Sequence, residues 1–161
     1  MHKEPGPAAE ETRPAQVRRA RAADLPRLLQ LRGWLRGEEA GPRPPTAAEE
    51  AAFAQLEEDR RCDLLVLERE GQVLATVQLS LLPSLSGGGR PRAYLDALVV
   101  DPACRGQGLG AALVLHCLAL CRERGARRLS LLTNRERTEA HRFYQRQGFA
   151  RSHLGYVMVL G

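Results

Sequence analysis

A glycine-rich turn at residues 101–110, DPACRGQGLG, is the segment whose residue types are best suited to bind a ligand. An apolar run, YLDALVV, precedes it and another, AALVLHCLAL, follows it, which predicts a strand before the turn and a helix after it. Glycine lets backbone amides approach a ligand closely, and the N-terminus of a helix favours negative charge. The segment therefore suits a phosphate or pyrophosphate group, although the glycines alone are also compatible with a plain tight turn.

Two common phosphate-binding motifs do not fit this turn. A Walker loop requires a lysine after its last glycine, and the sequence has no lysine beyond Lys3. The dinucleotide motif requires a wider spacing than that of Gly106, Gly108 and Gly110, and also an acidic residue after the next strand, where RLSLLTN contains none. The letters RGQGLG fit another pattern: arginine or glutamine, two residues, glycine, one residue, and glycine or alanine.

The charges are divided unevenly along the chain. Residues 1–80 contain 12 lysines and arginines and 14 acidic residues, whereas residues 81–161 contain 12 arginines and 5 acidic residues. The basic second half favours a polyanionic ligand such as a nucleotide cofactor, nucleic acid or an acidic membrane. Nucleic acid is the weaker choice, because aromatic residues make up only 4% of the chain and no recognition-helix motif is present.

The turn, the LVVDP before it and AHRFYQRQGF at 140–149 together resemble the GNAT superfamily of acyl-CoA-dependent N-acetyltransferases, over about residues 16–161. The resemblance implies an α/β fold with a central mixed, mostly antiparallel sheet, splayed at its fourth strand, and helices on both faces. It implies acetyl-CoA as co-substrate, with pantetheine paired to the splayed strand and pyrophosphate held by the amides of the turn. The implied cofactor-binding residues are Leu98, Val99, Val100, Arg105, Gly106, Gln107, Gly108, Leu109 and Gly110.

The resemblance also assigns the proton transfers that amine acetylation requires. Tyr144 matches the family tyrosine that donates a proton to the leaving sulfur; a core aromatic packed beside Phe143 is the other interpretation. Asp96 matches a position where relatives often carry a carboxylate that takes the proton of the amine, directly or through water; an ion-pairing strand residue is the other interpretation. His116 and His141 are alternative bases.

One position departs from the family pattern. Many relatives carry asparagine seven residues before the tyrosine, where this chain has Arg137, and the run TNRERTEAHRFY resembles a branch that includes aminoalkylphosphonate acetyltransferases. Arg137 is predicted either to contact the cofactor or an anionic substrate, or to face solvent. The acceptor pocket matches nothing specific. Acidic residues in or between the first two helices favour a cationic amine or are simply exposed: Glu38, Glu39, Glu49 and Glu50.

The elements that position these residues follow from apolar periodicity and turn signals. Residues 1–15 have no apolar period and are predicted to be a disordered tail, followed by one domain at 16–161. Asp24 is predicted to cap the first helix, and Thr46 with Glu49 to form a capping box at the second. The predicted strands are 16–20, 63–68, 73–82, 93–100, 128–133 and 156–160, and the predicted helices are 24–35, 46–59, 111–124 and 138–147.

The remaining features narrow the class of protein. No apolar run approaches 18 residues and no charged-then-apolar leader opens the chain, which predicts a cytoplasmic protein without membrane contact. The four cysteines show no zinc spacing, so we expect no metal and no structural disulfide, with Cys117 and Cys121 as reduced core thiols.

The predicted function is transfer of an acetyl group from acetyl-CoA to a primary amine of a small molecule or peptide, directly within a ternary complex. One alternative is a transferase that uses another acyl-CoA. The other is a non-catalytic CoA-sensing or protein-binding module on the same fold. The sequence leaves a homodimer open.

Overall fold

A computed structural model describes residues 14–38 and 41–160 of the chain. Of the predicted N-terminal tail, residues 1–13 lie outside this described part. None of the helices in it combines the length and apolar character that a membrane span needs. The elements in chain order are β1 (Gln16–Arg19), α1 (Leu25–Leu35), α2 (Ala47–Glu58), β2 (Cys62–Arg69), β3 (Gln72–Leu82), a short turn α3 (Ser86–Gly89), β4 (Arg92–Val100), α4 (Leu109–Glu123), β5 (Leu129–Leu131) and α5 (Thr138–Arg146).

The five strands form one sheet in the order β1-β2-β3-β4-β5. Neighbouring strands from β1 to β4 run antiparallel, and β5 runs parallel to β4. Strand β5 pairs with β4 only from Ala93 to Leu95, so the second half of β4, residues 96–100, has no strand beside it on that edge within residues 14–38 and 41–160. The predicted mixed, mostly antiparallel sheet that opens at its fourth strand is therefore confirmed.

Helices cover both faces of the sheet because the buried side chains of the strands alternate between the faces. In β2, Leu64 and Val66 belong to the core formed with α1 and α2, whereas Leu65 and Leu67 belong to the core formed with α4. The helix α4 contributes an apolar stripe to the second core: Leu109, Leu113, Val114, Cys117 and Cys121. The two predicted core thiols thus lie in the core, and burial raises the pKa of Cys117 to about 12.

The first two helices begin differently. At α2 the predicted capping box is confirmed: the Glu49 amide donates to Thr46 Oγ1 at 3.3 Å, and the Thr46 amide donates to the Glu49 carboxylate at 2.9 Å. Asp24 does precede α1, but its predicted capping role is wrong. Its carboxylate accepts hydrogen bonds from the Arg21 amide and the Arg18 guanidinium instead, which ties β1 to the start of α1.

The predicted strand at 156–160 is wrong, because residues 151–160 form no regular secondary structure. A strand requires another strand to which its backbone can hydrogen-bond. High β-propensity favours an extended segment but does not supply that partner strand. A Cβ built on Gly155 would lie 2.8 Å from Leu132 Cδ2, so the chain passes the end of β5 closely without pairing to it. The large side chains of the segment are 76–89% exposed: Leu154, Tyr156, Val157, Met158, Val159 and Leu160.

Candidate active site

Strand β4 contains a bulge at its centre. Thr76 of β3 lies opposite Val99, and Gln78 lies opposite Asp96, so two residues of β4 face the single residue between them on β3. One of these two is Ala97, whose φ of 49° lies in the left-handed region that residues with a Cβ rarely adopt. The direction of β4 therefore changes next to Asp96, the candidate base.

The bulge also reverses which way the amides of β4 point. The Ala93 amide donates at 3.2 Å to the carbonyl that precedes β5, whereas the Asp101 amide, eight residues later, donates at 2.8 Å to a β3 carbonyl. Amides alternate along a regular strand, so residues separated by an even number would otherwise point the same way. The reversal directs the amides of Leu98 and Val100 toward the gap beyond β5. The same alternation directs the Val99 amide to β3, away from the gap.

The turn after β4 is held at its first residue. Asp101 Oδ1 accepts the Ala103 amide at 2.8 Å, and its other oxygen forms an ion pair with Arg27 of α1. Arg27 also donates to the Val73 carbonyl of β3 at 3.0 Å. Contacts to a helix and a neighbouring strand therefore fix the point where the turn leaves the sheet.

The turn itself is exposed and depends on two glycines with left-handed backbone. Gly106 has φ 76° and Gly108 has φ 77°, and a Cβ on either would meet nothing within 4 Å. The side chains of Arg105 and Gln107 are exposed, and Gln107 accepts a hydrogen bond from Arg69 at 3.1 Å. The glycines thus give the turn its shape and leave open space on its outer side.

The first turn of α4 presents amides without partners in the helix. The first intrahelical bond runs from the Ala112 amide to the Gly108 carbonyl at 3.0 Å, so the amides of Leu109, Gly110 and Ala111 have no acceptor further back in the helix. Together with the positive end of the helix, these amides form a favourable position for an anionic group.

Gly110 has a packing role that the sequence did not indicate. A Cβ there would lie 3.3 Å from Phe143 Cζ and 3.5 Å from Val100 Cγ2. The absence of a side chain lets α5 pack closely against α4 and the end of β4. Gly110 therefore helps to place the helix that carries the candidate acid.

Tyr144 of α5 is half-buried between two aromatic rings. Its ring lies edge-on to Phe143, with centroids 5.2 Å apart, and to Phe149, with centroids 5.7 Å apart. Burial raises the pKa of the Tyr144 phenol, the charge of Arg137 lowers it, and the charge of Asp96 raises it. The candidate acid, the candidate base and the residue that departs from the family pattern thus lie close enough together to influence one another.

Asp96 is exposed on the sheet face that carries α1 and α2, opposite Gln78 of β3. Gln78 in turn accepts a hydrogen bond from Arg32 Nη2 of α1 at 3.2 Å. Arg32 is not among the site residues predicted from the sequence. In the sequence, Arg32 could have been noticed because it directly follows Leu31 in the apolar stripe of the first helix. In the structure, Leu31 is fully buried.

The other candidate residues occupy less favourable positions. His141 Nε2 donates to the Asn134 carbonyl at 2.8 Å, which engages that nitrogen with the backbone, and His116 is half-buried on α4. Arg137 is exposed at the residue before α5. In the described part of the chain, no group of three histidine, cysteine, aspartate or glutamate side chains is arranged to hold a metal ion.

The acidic residues considered for the acceptor pocket are mostly engaged with arginines. Glu38 forms an ion pair with Arg36 at 2.6 Å, and Glu49 forms one with Arg43. Glu39 lies outside the described residues. These pairs favour the interpretation of Glu38 and Glu49 as ion-paired side chains at the surface, and Glu50 is exposed.

Residues 28–149 match the Acetyltransferase (GNAT) family. The chain is 39% identical over 92 residues to mycothiol acetyltransferase of Cellulomonas flavigena, which covers 55% of the chain and 26% of the relative. It is 39% identical over 66 residues to aminoalkylphosphonate N-acetyltransferase of Salmonella typhimurium, which covers 41% of the chain and 43% of the relative. The matched segments thus span less than half the length of both curated relatives.

The fold has a close counterpart among solved structures. The crystal structure of a transcriptional regulator from Bacillus halodurans superposes with a TM-score of 0.85 at 27% identity, over 91% of this chain and 99% of that one. The family match covers β4, the glycine-rich turn and α5, which are the elements that form the candidate site. The chain therefore belongs to the GNAT acetyltransferase family.

Proposed function

We propose that the chain transfers an acetyl group from acetyl-CoA to a primary amine of a small molecule or peptide, directly within a ternary complex. The observation that carries the proposal is the combination of a β4 edge and of amides at the start of α4 that both lack a backbone partner among the described residues. Family membership supports it, and both curated relatives are acetyltransferases.

Acetyl-CoA fits the residues that surround the gap. Its pantetheine arm carries amides that can pair with Leu98 and Val100 as a neighbouring strand would. Its pyrophosphate suits the first amides of α4 and the open space beside Gly106 and Gly108, where no Cβ intervenes. The excess of arginine in the second half of the chain supports attraction of a polyanion.

The chemistry assigns one task to each of three groups. Asp96 takes the proton that the amine must lose, directly or through water, while the amine attacks the thioester carbonyl. One of the two β4-edge amides, that of Leu98 or of Val100, donates to the oxygen on which negative charge develops, and the other remains available to the pantetheine arm. Tyr144 donates its proton to the CoA sulfur when the C–S bond of the thioester breaks, which leaves the acetyl group bound to the amine.

The first test measures which nucleotide the chain prefers. We expect calorimetric titration to give roughly tenfold or tighter binding of CoA and acetyl-CoA than of ATP, because two added backbone hydrogen bonds contribute about 0.5–1.5 kcal/mol each. NAD should bind as weakly as ATP. Tighter binding of ATP than of CoA would overturn the assignment.

Asp96→Asn is expected to reduce turnover mainly on the acidic side of the pH–rate profile, where most acceptor amines are protonated. A loss of about tenfold is expected, below the usual range for a general base, since water can relay the proton. Asp59→Asn is the control, because Asp59 is paired with Arg61 at the end of α2. If the pH–rate profile of Asp96→Asn has the same shape as that of wild type, Asp96 is a structural residue and not the base.

A further inference from the structure

Arg32 of α1 is a half-buried cation that has no carboxylate partner in the described part of the chain. Its guanidinium makes one hydrogen bond there, from Nη2 to the neutral amide oxygen of Gln78 at 3.2 Å. Burial lowers the pKa of Arg32, and the nearby charge of Asp96 raises it. An arginine keeps its charge in such surroundings. This positive charge is therefore partly sheltered from water, and no carboxylate among the described residues is paired with it.

Three other half-buried arginines in the described residues are paired with carboxylates, whereas Arg69 contacts only the amide oxygen of Gln107, at 3.1 Å. Arg18, Arg27 and Arg124, whose side chains are 17%, 28% and 32% exposed, pair with aspartates. Pairing offsets the cost of removing a charge from water, which for an unpaired ion is several kcal/mol. Arg32 differs from these three arginines because its partner is the neutral amide of Gln78. It also lies on the same face of the sheet as Asp96, the candidate base.

The remaining donors of Arg32 are accessible. No buried side-chain nitrogen or oxygen in the described residues lacks a hydrogen-bond partner, so the N–H groups of Arg32 without a protein acceptor are at least partly accessible to solvent. A guanidinium presents several N–H donors in one plane, an arrangement that matches the oxygens of phosphonate, phosphate, sulfonate or carboxylate.

The location of Arg32 relative to Asp96 indicates the kind of ligand. Gln78, which Arg32 contacts, lies directly opposite Asp96 on the neighbouring strand, and the Cα atoms of such pairs are about 4.5–5.5 Å apart. The guanidinium and the Asp96 carboxylate are therefore neighbours, yet they form no ion pair. A molecule that carries both an ammonium group and an anionic group, separated by a few bonds, can contact both.

We infer that Arg32 binds an anionic group of the acceptor, so that the preferred substrates are primary amines carrying a phosphonate, phosphate, sulfonate or carboxylate a few bonds from the nitrogen. The inference rests on the proposed acetyl transfer, because it places the amine at Asp96 in the same site. Arg32 determines which amine binds and takes no part in the proton transfers.

The test compares 2-aminoethylphosphonate with propylamine, in which a methyl group replaces the phosphonate, and includes β-alanine as a carboxylate. We expect wild type to show the higher kcat/KM on 2-aminoethylphosphonate. Arg32→Gln should lower that value by about 10- to 100-fold, the effect of losing charge-assisted hydrogen bonds, and change the propylamine value less than about threefold. Arg36→Gln, which removes an exposed charge at the residue that follows α1, should change neither value.

Two further measurements separate this inference from the proposed function. Binding of 2-aminoethylphosphonate to the CoA complex, followed by NMR titration, should be lost in Arg32→Gln and kept in Arg36→Gln. Such binding without any turnover would support the anion site and contradict acetyl transfer. If Arg32→Gln proves unfolded by circular dichroism, Arg32→Lys replaces it and should lower phosphonate affinity without abolishing the preference for the anionic amine.

Equal kcat/KM on 2-aminoethylphosphonate and propylamine would overturn the inference while acetyl transfer stands. Equal losses on both amines in Arg32→Gln would do the same, since they indicate a structural role. Failure of wild type to bind or acetylate either anionic amine would also overturn it. Higher kcat/KM on β-alanine than on 2-aminoethylphosphonate would support the anion site and identify the anion as carboxylate.

Discussion

Replacement of Tyr144 by phenylalanine is expected to lower kcat by about 10²-fold, with CoA affinity nearly unchanged. The variant keeps the ring, so the edge-on contacts with Phe143 and Phe149 survive and only the hydroxyl is lost. A thiolate is a fairly good leaving group, because a thiol has a pKa near 8.5. The loss should therefore lie at the low end of the range for general acid catalysis.

The state of the Tyr144 phenol supports this role. Burial raises its pKa, so the proton is present throughout the neutral range and is lost only as the pH rises through that raised value. The positive charge of Arg137 lowers the pKa of the phenol and so limits the increase caused by burial, which keeps the phenol able to donate its proton. Wild-type turnover should thus fall on the alkaline side only above the ordinary range of tyrosine, near 10.

Steady-state rates on any accepted amine, together with a CoA titration, measure the effect of Tyr144→Phe. The matched control is Tyr156→Phe, because that side chain is 89% exposed. Wild-type turnover in Tyr144→Phe would remove this residue from the mechanism. If the loss of turnover in Tyr144→Phe disappears at low temperature, the cause is reduced stability of the variant and not the loss of a proton donor.

The glycine-rich turn and its flanking elements were predictable because their signals are local. Alternating apolar residues predict β4, a periodic stripe predicts α4, and Gly106 and Gly108 mark a turn that requires positive φ. The capping box at Thr46 and Glu49 is local in the same sense, since both partners lie within four residues. Such features depend little on the rest of the fold.

Features that depend on distant partners were not predictable. Ala97 adopts a left-handed φ although no glycine marks the bulge, and it does so where the pairing of β4 with β3 shifts its register. Arg32 becomes a candidate site residue only when α1 packs over Gln78 and Asp96, more than 40 residues away in sequence. The segment at 156–160 has the composition of a strand, yet its pairing partner is a matter of tertiary structure.

Gly108→Val is expected to weaken CoA binding at least about 100-fold while the fold persists, because displacing the pyrophosphate removes two or more charge-assisted hydrogen bonds of about 1.5–3 kcal/mol each. Gly108 has φ 77° and immediately precedes α4, so a valine there would project its branched side chain beside the amides of Leu109 and Gly110. A Cβ at Gly108 would have no described atom within 4 Å, so the main conflict expected of the valine is with a bound ligand.

The strain of a left-handed valine must be separated from the loss of the binding surface. Gly125 supplies the control, because it follows the other end of α4 with φ 76° and equally open surroundings. Valine at either position costs on the order of 1–2 kcal/mol in backbone strain, so the two variants should melt at similar temperatures. CoA titration should then distinguish them, with affinity lost in Gly108→Val and retained in Gly125→Val. Equal, near-wild-type affinities in both folded variants would mean that the turn does not hold the pyrophosphate.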